Sequence, residues 1–423
     1  MIRRSWKSLV AGFAIVSGLT AGTAVEAGDA YSAGGAKART EQIFAESSHD
    51  MTVQLTSLSA TADATGCDLG CDLGCGIDGC GIDDIGCGEG CGEGLFGTTG
   101  ENAIKIGGWV QVGYHNRVTP AGVNPNDGLS FNSHPDRLNL HQSWLYAEKV
   151  ADGSKGFDWG FRADVLYGVD GPDTQSFGSP GRFDNSSSFT RGGGYGWAIP
   201  QLYAEVAVGD LSIKAGHFFT LVGYEVVGAP DNFFYSHALT QFNSEPFTHT
   251  GVLGTYSASD DTTLYGGWTA GWDTGFDSVN GGSTFLGGFS TAVGDDATFT
   301  YITTIGNFGN RGDGADGYAH SLVLDVNLAD DLNLVLQSDV VRVGDDDDLG
   351  VNSYLIKTIN DQLGVGVRAE WWKNEGISQY NVTGGVNIKP TDNLTFRPEL
   401  RYDWLDPNVG DQFTFGMDAI FTF

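Results

Sequence analysis

Beyond residue 30 the chain contains no run of eighteen apolar residues, so no transmembrane helix is readable there. Basic side chains are scarce as well. Lys and Arg number 22 against 53 Asp and Glu, a formal net charge of −31. That balance argues against a nucleic-acid partner, whose phosphates call for a basic surface. Cysteine is absent outside residues 67–91, and no paired C-x2-C spacing marks a zinc site. Glycine runs such as Gly192-Gly193-Gly194 lack the following Lys of a phosphate loop. The eight His are scattered without ligand spacing. His141 and Ser143 are the nearest pairing of a base with a nucleophile in the sequence, but no oriented nucleophile–base pair emerges from it. Composition and motif therefore point to neither an enzyme nor a cofactor.

What the chain does have is 64 Gly and an aromatic set of 10 Trp, 15 Tyr and 25 Phe. Its last eleven residues alternate. Phe413, Phe415, Met417, Ala419, Phe421 and Phe423 fall on one face; Thr414, Gly416, Asp418 and Thr422 fall on the other, with Ile420 the exception. A terminus usually frays, and a soluble protein seldom closes on such a strand. A barrel in lipid must, because its last strand pairs with its first and leaves no edge. The pattern resembles the C-terminal targeting strand of outer-membrane barrels, with Phe423 as the aromatic that assembly machinery would read.

Residues 103–423 repeat this pattern. Sixteen alternating segments are centred near residues 110, 143, 163, 203, 215, 253, 268, 288, 302, 323, 337, 355, 367, 384, 399 and 418. In Phe157–Val169, Trp159, Phe161, Val165 and Tyr167 oppose Asp158, Gly160, Arg162 and Asp164. In Leu394–Trp404, Phe396, Leu400 and Tyr402 oppose Arg397, Glu399, Arg401 and Asp403. A charged face opposite an aromatic-tipped one suits a wet lumen and a lipid exterior. Even-numbered connections are tight and carry Asp or Asn, often with Gly; odd-numbered ones are mostly longer, including 344–350 and 374–379. The fold class predicted is all-β: a transmembrane antiparallel barrel of about 16 strands (14–18), lying in outer-membrane lipid. Pro200 and Pro398 each remove a ladder donor and predict bulges.

The first hundred residues read differently. Residues 1–27 form a secretory signal: Arg3, Arg4 and Lys7 precede the apolar Leu9–Leu19, and Val25-Glu26-Ala27 supplies the cleavage signature. Residues 28–65 are small and polar, with a short helix over Ala36–Glu46. Residues 66–97 are a Gly/Cys/Asp tract holding Cys67, Cys71, Cys75, Cys80, Cys87 and Cys91, placed in the periplasm. An even count in an exported chain suggests disulfides. Intrachain bridges, crosslinks to neighbouring envelope proteins and metal binding stay open, since six cysteines allow fifteen pairings.

The third long connection, Leu221–Thr248, is too apolar for an exposed loop, with Tyr224, Phe233, Phe234, Tyr235, Phe242 and Phe247. It is expected to fold into the barrel, carrying Glu225, Asp231 and Glu245 to a constriction. Alternation turns Lys105, His115, Arg117, Arg162, Lys214, Arg368, Arg397 and Arg401 inward, accompanied by Asp164, Asp339, Glu370, Glu399 and Asp403. A basic arc facing carboxylates creates a transverse field that orders polar solutes. Local pairing, Arg368 with Glu370 and Arg397 with Glu399, is the alternative. His217 and His249 flank the connection and are read as packed. Asp345–Asp348 reads as a solvated acidic loop.

Four segments, Gly216–Phe219, Gly223–Val226, Asp231–Ser236 and Glu245–Gly251, resemble the OmpL-like beta-barrel porins. So do Val367-Arg368-Ala369-Glu370-Trp371-Trp372 and Phe396–Tyr402. The resemblance implies an outer-membrane porin passing small polar solutes or ions. A substrate-specific channel with a saturable site, or an envelope protein crosslinked through its Cys tract, are the alternatives. A homotrimer is an analogy with general porins.

Overall fold

A computed structural model describes residues 104–116, 131–132, 134–177, 182–185, 194–277, 279–344, 346–405 and 411–423. The signal, the polar segment, the six cysteines and Arg117 lie outside the described residues. Among the described residues, seventeen strands form one sheet. They are β1 (Lys105–His115), β2 (Leu138–Lys149), β3 (Phe157–Gly168), β4 (Gly196–Ala198), β5 (Leu202–Val208), β6 (Leu211–Phe219), β7 (Thr248–Ser259), β8 (Thr262–Thr269) and β9 (Ser283–Ala292). The rest are β10 (Ala297–Asn307), β11 (Asp316–Ala329), β12 (Leu332–Val343), β13 (Asp346–Asn360), β14 (Leu363–Asn374), β15 (Ile377–Thr391), β16 (Leu394–Leu405) and β17 (Asp411–Thr422). Every strand pairing is antiparallel and joins chain neighbours, except that β1 pairs with β17 and β3 pairs with both β4 and β5. Those two short strands make one stave, so the barrel has sixteen, as the alternation predicts.

The ring closes where β1 meets β17, in register from Trp109↔Thr422 to His115↔Gly416. The backbone of Phe423 completes the seam, donating to Gly108 O at 2.9 Å and accepting from Gly108 N at 3.0 Å. No edge is left for water to satisfy, which is the condition for a sheet in hydrocarbon. The outer face carries the apolar members of each alternation. Trp159, Val165, Leu400, Phe413 and Phe421 are all 40% or more exposed, the lipid-facing band of such a barrel.

Pro200 sits between β4 and β5, where register against β3 gains one residue: Leu166 pairs Ala198 but Ala163 pairs Leu202. That is the bulge its missing N–H requires. Pro398 differs. The β15 ladder lapses there, yet register is the same on both sides, Gly385↔Glu399 and Ile388↔Phe396. A missing donor alone interrupts a ladder without inserting a residue. Two expected long connections are short: β12 passes to β13 through residues 344–345, and β14 to β15 through Glu375-Gly376. Both residues of the second turn have positive φ, 47° and 90°, the pair of angles that lets a two-residue hairpin follow the strand twist.

The core sits inside the cylinder. Trp109 and Trp144 point inward and stack at 4.6 Å, and Phe131, Val227, Phe242, Phe247 and Ile420 pack on them. A second inward cluster joins Tyr203, Leu253, Tyr265, Leu286 and Ile302 of β5 and β7–β10 to Phe218, Leu221 and Val222. Each large side chain so buried contributes about 1.5–3 kcal/mol. Val227, Phe242 and Phe247 of the first cluster and Leu221 and Val222 of the second come from the stretch between β6 and β7.

Candidate functional site

Residues 220–247, between β6 and β7, supply those side chains. The stretch holds a 3-10 turn, Ala229–Asp231, and a short helix α1, Leu239–Ser244. Its main chain is gripped by side chains on the inner wall. The Arg397 guanidinium donates to the carbonyls of Ala229 (2.8 Å) and Asn232 (2.6 Å). Arg368 donates to Ser236 O at 2.6 Å, and Arg401 to His237 O at 2.7 Å. The carboxylates take the opposite groups. Glu399 accepts from the N–H of Tyr235 (2.9 Å) and Ser236 (3.1 Å). Glu370 accepts from Leu239 N (2.8 Å) and Thr240 N (2.6 Å), capping α1 where free N–H groups and the helix dipole favour an anion. A buried backbone group left unpaired is costly, so these charges are what permits an irregular segment here.

Each buried guanidinium also has a carboxylate. Arg368 meets Glu225 at 2.6 Å, Arg397 meets Asp418 at 2.5 Å and Arg401 meets Asp403 at 2.7 Å. The partners differ from the local pairing considered from sequence. Arg397 lies directly across from Asp418 in the β16–β17 register, closer than Glu399 two residues along its own strand. Glu225 also accepts from Ala238 N at 2.7 Å and lies 3.6 Å from His237.

The remaining expected residues are dispersed. Glu245 is buried and accepts from Gln337 of β12 at 2.5 Å. Asp231 is exposed in its 3-10 turn. Arg162 of β3 is half-buried over the Tyr146 ring, bonded to Asp164 at 2.9 Å and separated from β16 around the ring by β17, β1 and β2. Lys214 of β6 lies over Tyr203 at 4.7 Å. Lys105 is exposed at the start of β1, in register with Glu148. His217 and His249 are buried and bonded to Thr250 and Thr220, at 2.8 and 3.0 Å. Asp348 is buried, not solvated, and accepts from Arg311 and Asn374, each at 2.6 Å.

Several contributors escaped the sequence. The inner wall is faced with glycine where the aromatic tip rests. A Cβ on Gly366 would meet the Phe233 ring at 2.5 Å, on Gly385 the Phe234 ring at 3.0 Å, and on Gly416 the Tyr235 ring at 2.6 Å. Tyr235 Oη also contacts His141 at 2.8 Å, and His141 contacts Asp170 at 2.8 Å, all three buried. Gly patterning was readable as an excess over ordinary strands; the His–Asp–Tyr chain joins residues far apart in sequence and left no signal. Beside the tip lies a recess of about 20 Å³, lined among others by His115, Tyr235, Glu399, Arg401 and Asp403. It has room for about one water.

Comparison with known proteins places this geometry. The family described as "Putative beta-barrel porin-2, OmpL-like" matches residues 103–423. No curated protein matches the chain in sequence. Among solved structures, the outer membrane channel DcaP of Acinetobacter baumannii is similar over 78% of this chain and 100% of its own, at 13% identity and a TM-score of 0.51. The anion-selective porin from Comamonas acidovorans is similar over 76% and 99%, at 11% identity and 0.51. OmpF of Salmonella typhi, in complex with daunomycin, is similar over 78% and 100%, at 11% identity and 0.52.

Proposed function

Because the chain belongs to the Putative beta-barrel porin-2, OmpL-like family, an outer-membrane porin family, we propose that it is a narrow passive channel for small polar solutes or ions whose bore is set by residues 220–247. The single observation behind this reading is the grip on that segment. Five charged wall residues hold its main chain on the β14–β16 side, through contacts no longer than 3.1 Å. A segment so held narrows the lumen permanently and does not act as a swinging lid. The charges that the alternation aims inward are largely spent on this grip and on one another. The field along the path is therefore weaker than 53 acidic side chains suggest, and discrimination falls to size and to the few polar groups beside the tip.

A second reading, a channel with a saturable solute site, draws on the polar groups of Arg401, Asp403, Glu399 and Tyr235 that converge beside the tip, around a recess that itself holds about one water. Planar-bilayer recording of the refolded mature protein separates the two. A passive channel gives current linear in solute gradient; a solute site gives concentration-dependent block. Deleting residues 226–244 raises single-channel conductance. A silent bilayer despite confirmed insertion would overturn the channel reading.

A further inference from the structure

We propose that Glu245, Asp339 and Gln337 form a binding site for a hard cation, Ca²⁺ by its coordination chemistry, which bolts the end of the lumenal segment to β12. Gln337 and Asp339 are two residues apart on one strand and so share its inner face. Glu245 follows α1 at the end of the segment. A single amide nitrogen, Gln337 Nε2, donates to Glu245 Oε1 at 2.5 Å and also to Asp339 Oδ2. One donor thus holds two carboxylates side by side. The second oxygen of each, Glu245 Oε2 and Asp339 Oδ1, is buried with no hydrogen-bond partner, as is Gln337 Oε1. Each of the three residues is 1% exposed.

Charge makes the same demand. Among the described residues neither carboxylate has an ion-pair partner, and the charged groups acting on Glu245 are Asp339, Glu225 and Glu370, all acidic. Glu225 is already satisfied by Arg368. Like charges brought together away from water call for compensation, by a bound cation or by a shared proton. The donor set names its class. All three free atoms are carboxylate or amide oxygens, which suit Ca²⁺ or Mg²⁺ and not the thiolate or imidazole preferences of transition metals. Among the described residues no group of three or more His, Cys, Asp or Glu is placed to hold a metal ion, so this site has two carboxylates and draws its third oxygen from an amide. Ca²⁺ tolerates irregular geometry, whereas Mg²⁺ demands a near-ideal octahedron. Ser321 Oγ, which accepts from Gly223 N at 3.2 Å, belongs to the residue directly across from Asp339 in the β11–β12 register and braces the same corner.

The test is calorimetric titration of the full chain, folded in detergent and stripped with EGTA, with CaCl₂ alone at pH 7.5. Wild type is expected to bind one more Ca²⁺ than either Glu245→Gln or Asp339→Asn. Dissociation constants of roughly 0.1–1 mM are expected, as for other low-charge oxygen sites. Calcium should also raise the thermal midpoint of wild type and leave that of the variants unmoved, each variant first shown to fold by heat-modifiable migration. Equal stoichiometry in wild type and folded variants overturns the proposal. So does an infrared band of a protonated carboxylic acid at pH 7.5 that Glu245→Gln abolishes, since one shared proton would then fill the cation's role. Absence of calcium uptake by wild type overturns it whatever the variants do. The result is independent of conductance: a protein silent in bilayers that loses one calcium in Glu245→Gln refutes the channel and keeps the site.

Discussion

Arg368 and Glu225 form a buried ion pair at 2.6 Å, one on the wall strand β14 and the other on the segment between β6 and β7. The guanidinium also donates to Ser236 O and Oγ, at 2.6 and 3.0 Å, and faces the Phe234 ring at 5.2 Å. Removing one partner of such a pair strands the other charge away from water and costs about 3–5 kcal/mol. Arg368→Met is expected to lose that much in urea unfolding from lipid vesicles and to raise conductance. Glu225→Gln strands the guanidinium and offers one acceptor oxygen where Arg368 and Ala238 N use two, so a loss of similar size is expected. Indistinguishable unfolding of Arg368→Met would mean the pair is solvated.

The glycine seats give a steric test. Any Cβ at Gly366 or Gly416 meets an aromatic ring inside contact distance, so the ring or the wall must move. Gly366→Val and Gly416→Val are expected to cost about 1–3 kcal/mol each as overpacking. They should also speed proteolysis within residues 229–237. A cleavage rate matching wild type would show the tip does not rest on those seats.

Arg401 lines the recess and pairs with Asp403. Arg401→Glu turns this pair into two neighbouring carboxylates and is expected to shift the reversal potential in a salt gradient toward cations. An unmoved potential places the conducting path elsewhere along the wall.

Asp273, between β8 and β9, gives a pH dependence. Its carboxylate accepts from Thr248 N at 3.0 Å, at the end of the lumenal segment, and burial pushes its pKa up from 3.8 to about 8 against those hydrogen bonds. A raised carboxyl pKa means the fold favours the neutral acid. Its contribution is complete below pH 3.8 and is lost as pH rises toward 8. The thermal midpoint of wild type should fall across that window relative to Asp273→Asn. Parallel curves for the two proteins would refute the assignment.

The staves were legible because one strand face must meet hydrocarbon and the other water, so alternation is imposed at nearly every residue. The composition of residues 221–248 was equally telling, since six aromatics need somewhere dry. Pairing was not legible. Arg397 shares a strand face with Glu399, but cross-strand register sets Asp418 directly opposite. The partner of Arg368 comes from the lumenal segment, at a separation of 143 residues. Nor was the apolar inner wall of Leu253, Tyr265, Leu286 and Ile302, where both strand faces turn oily and the period fades.

Wall and plug meet mainly through amides that every amino acid shares. Carbonyls of Ala229, Asn232, Ser236 and His237, and N–H groups of Tyr235, Ser236, Leu239 and Thr240, would be presented in the same places by many other side chains. The mounting is thereby uncoupled from the identity of what is mounted. Side chains turned toward the passage are free to be exchanged, by evolution or by an engineer, and permeation can be retuned without rebuilding the frame.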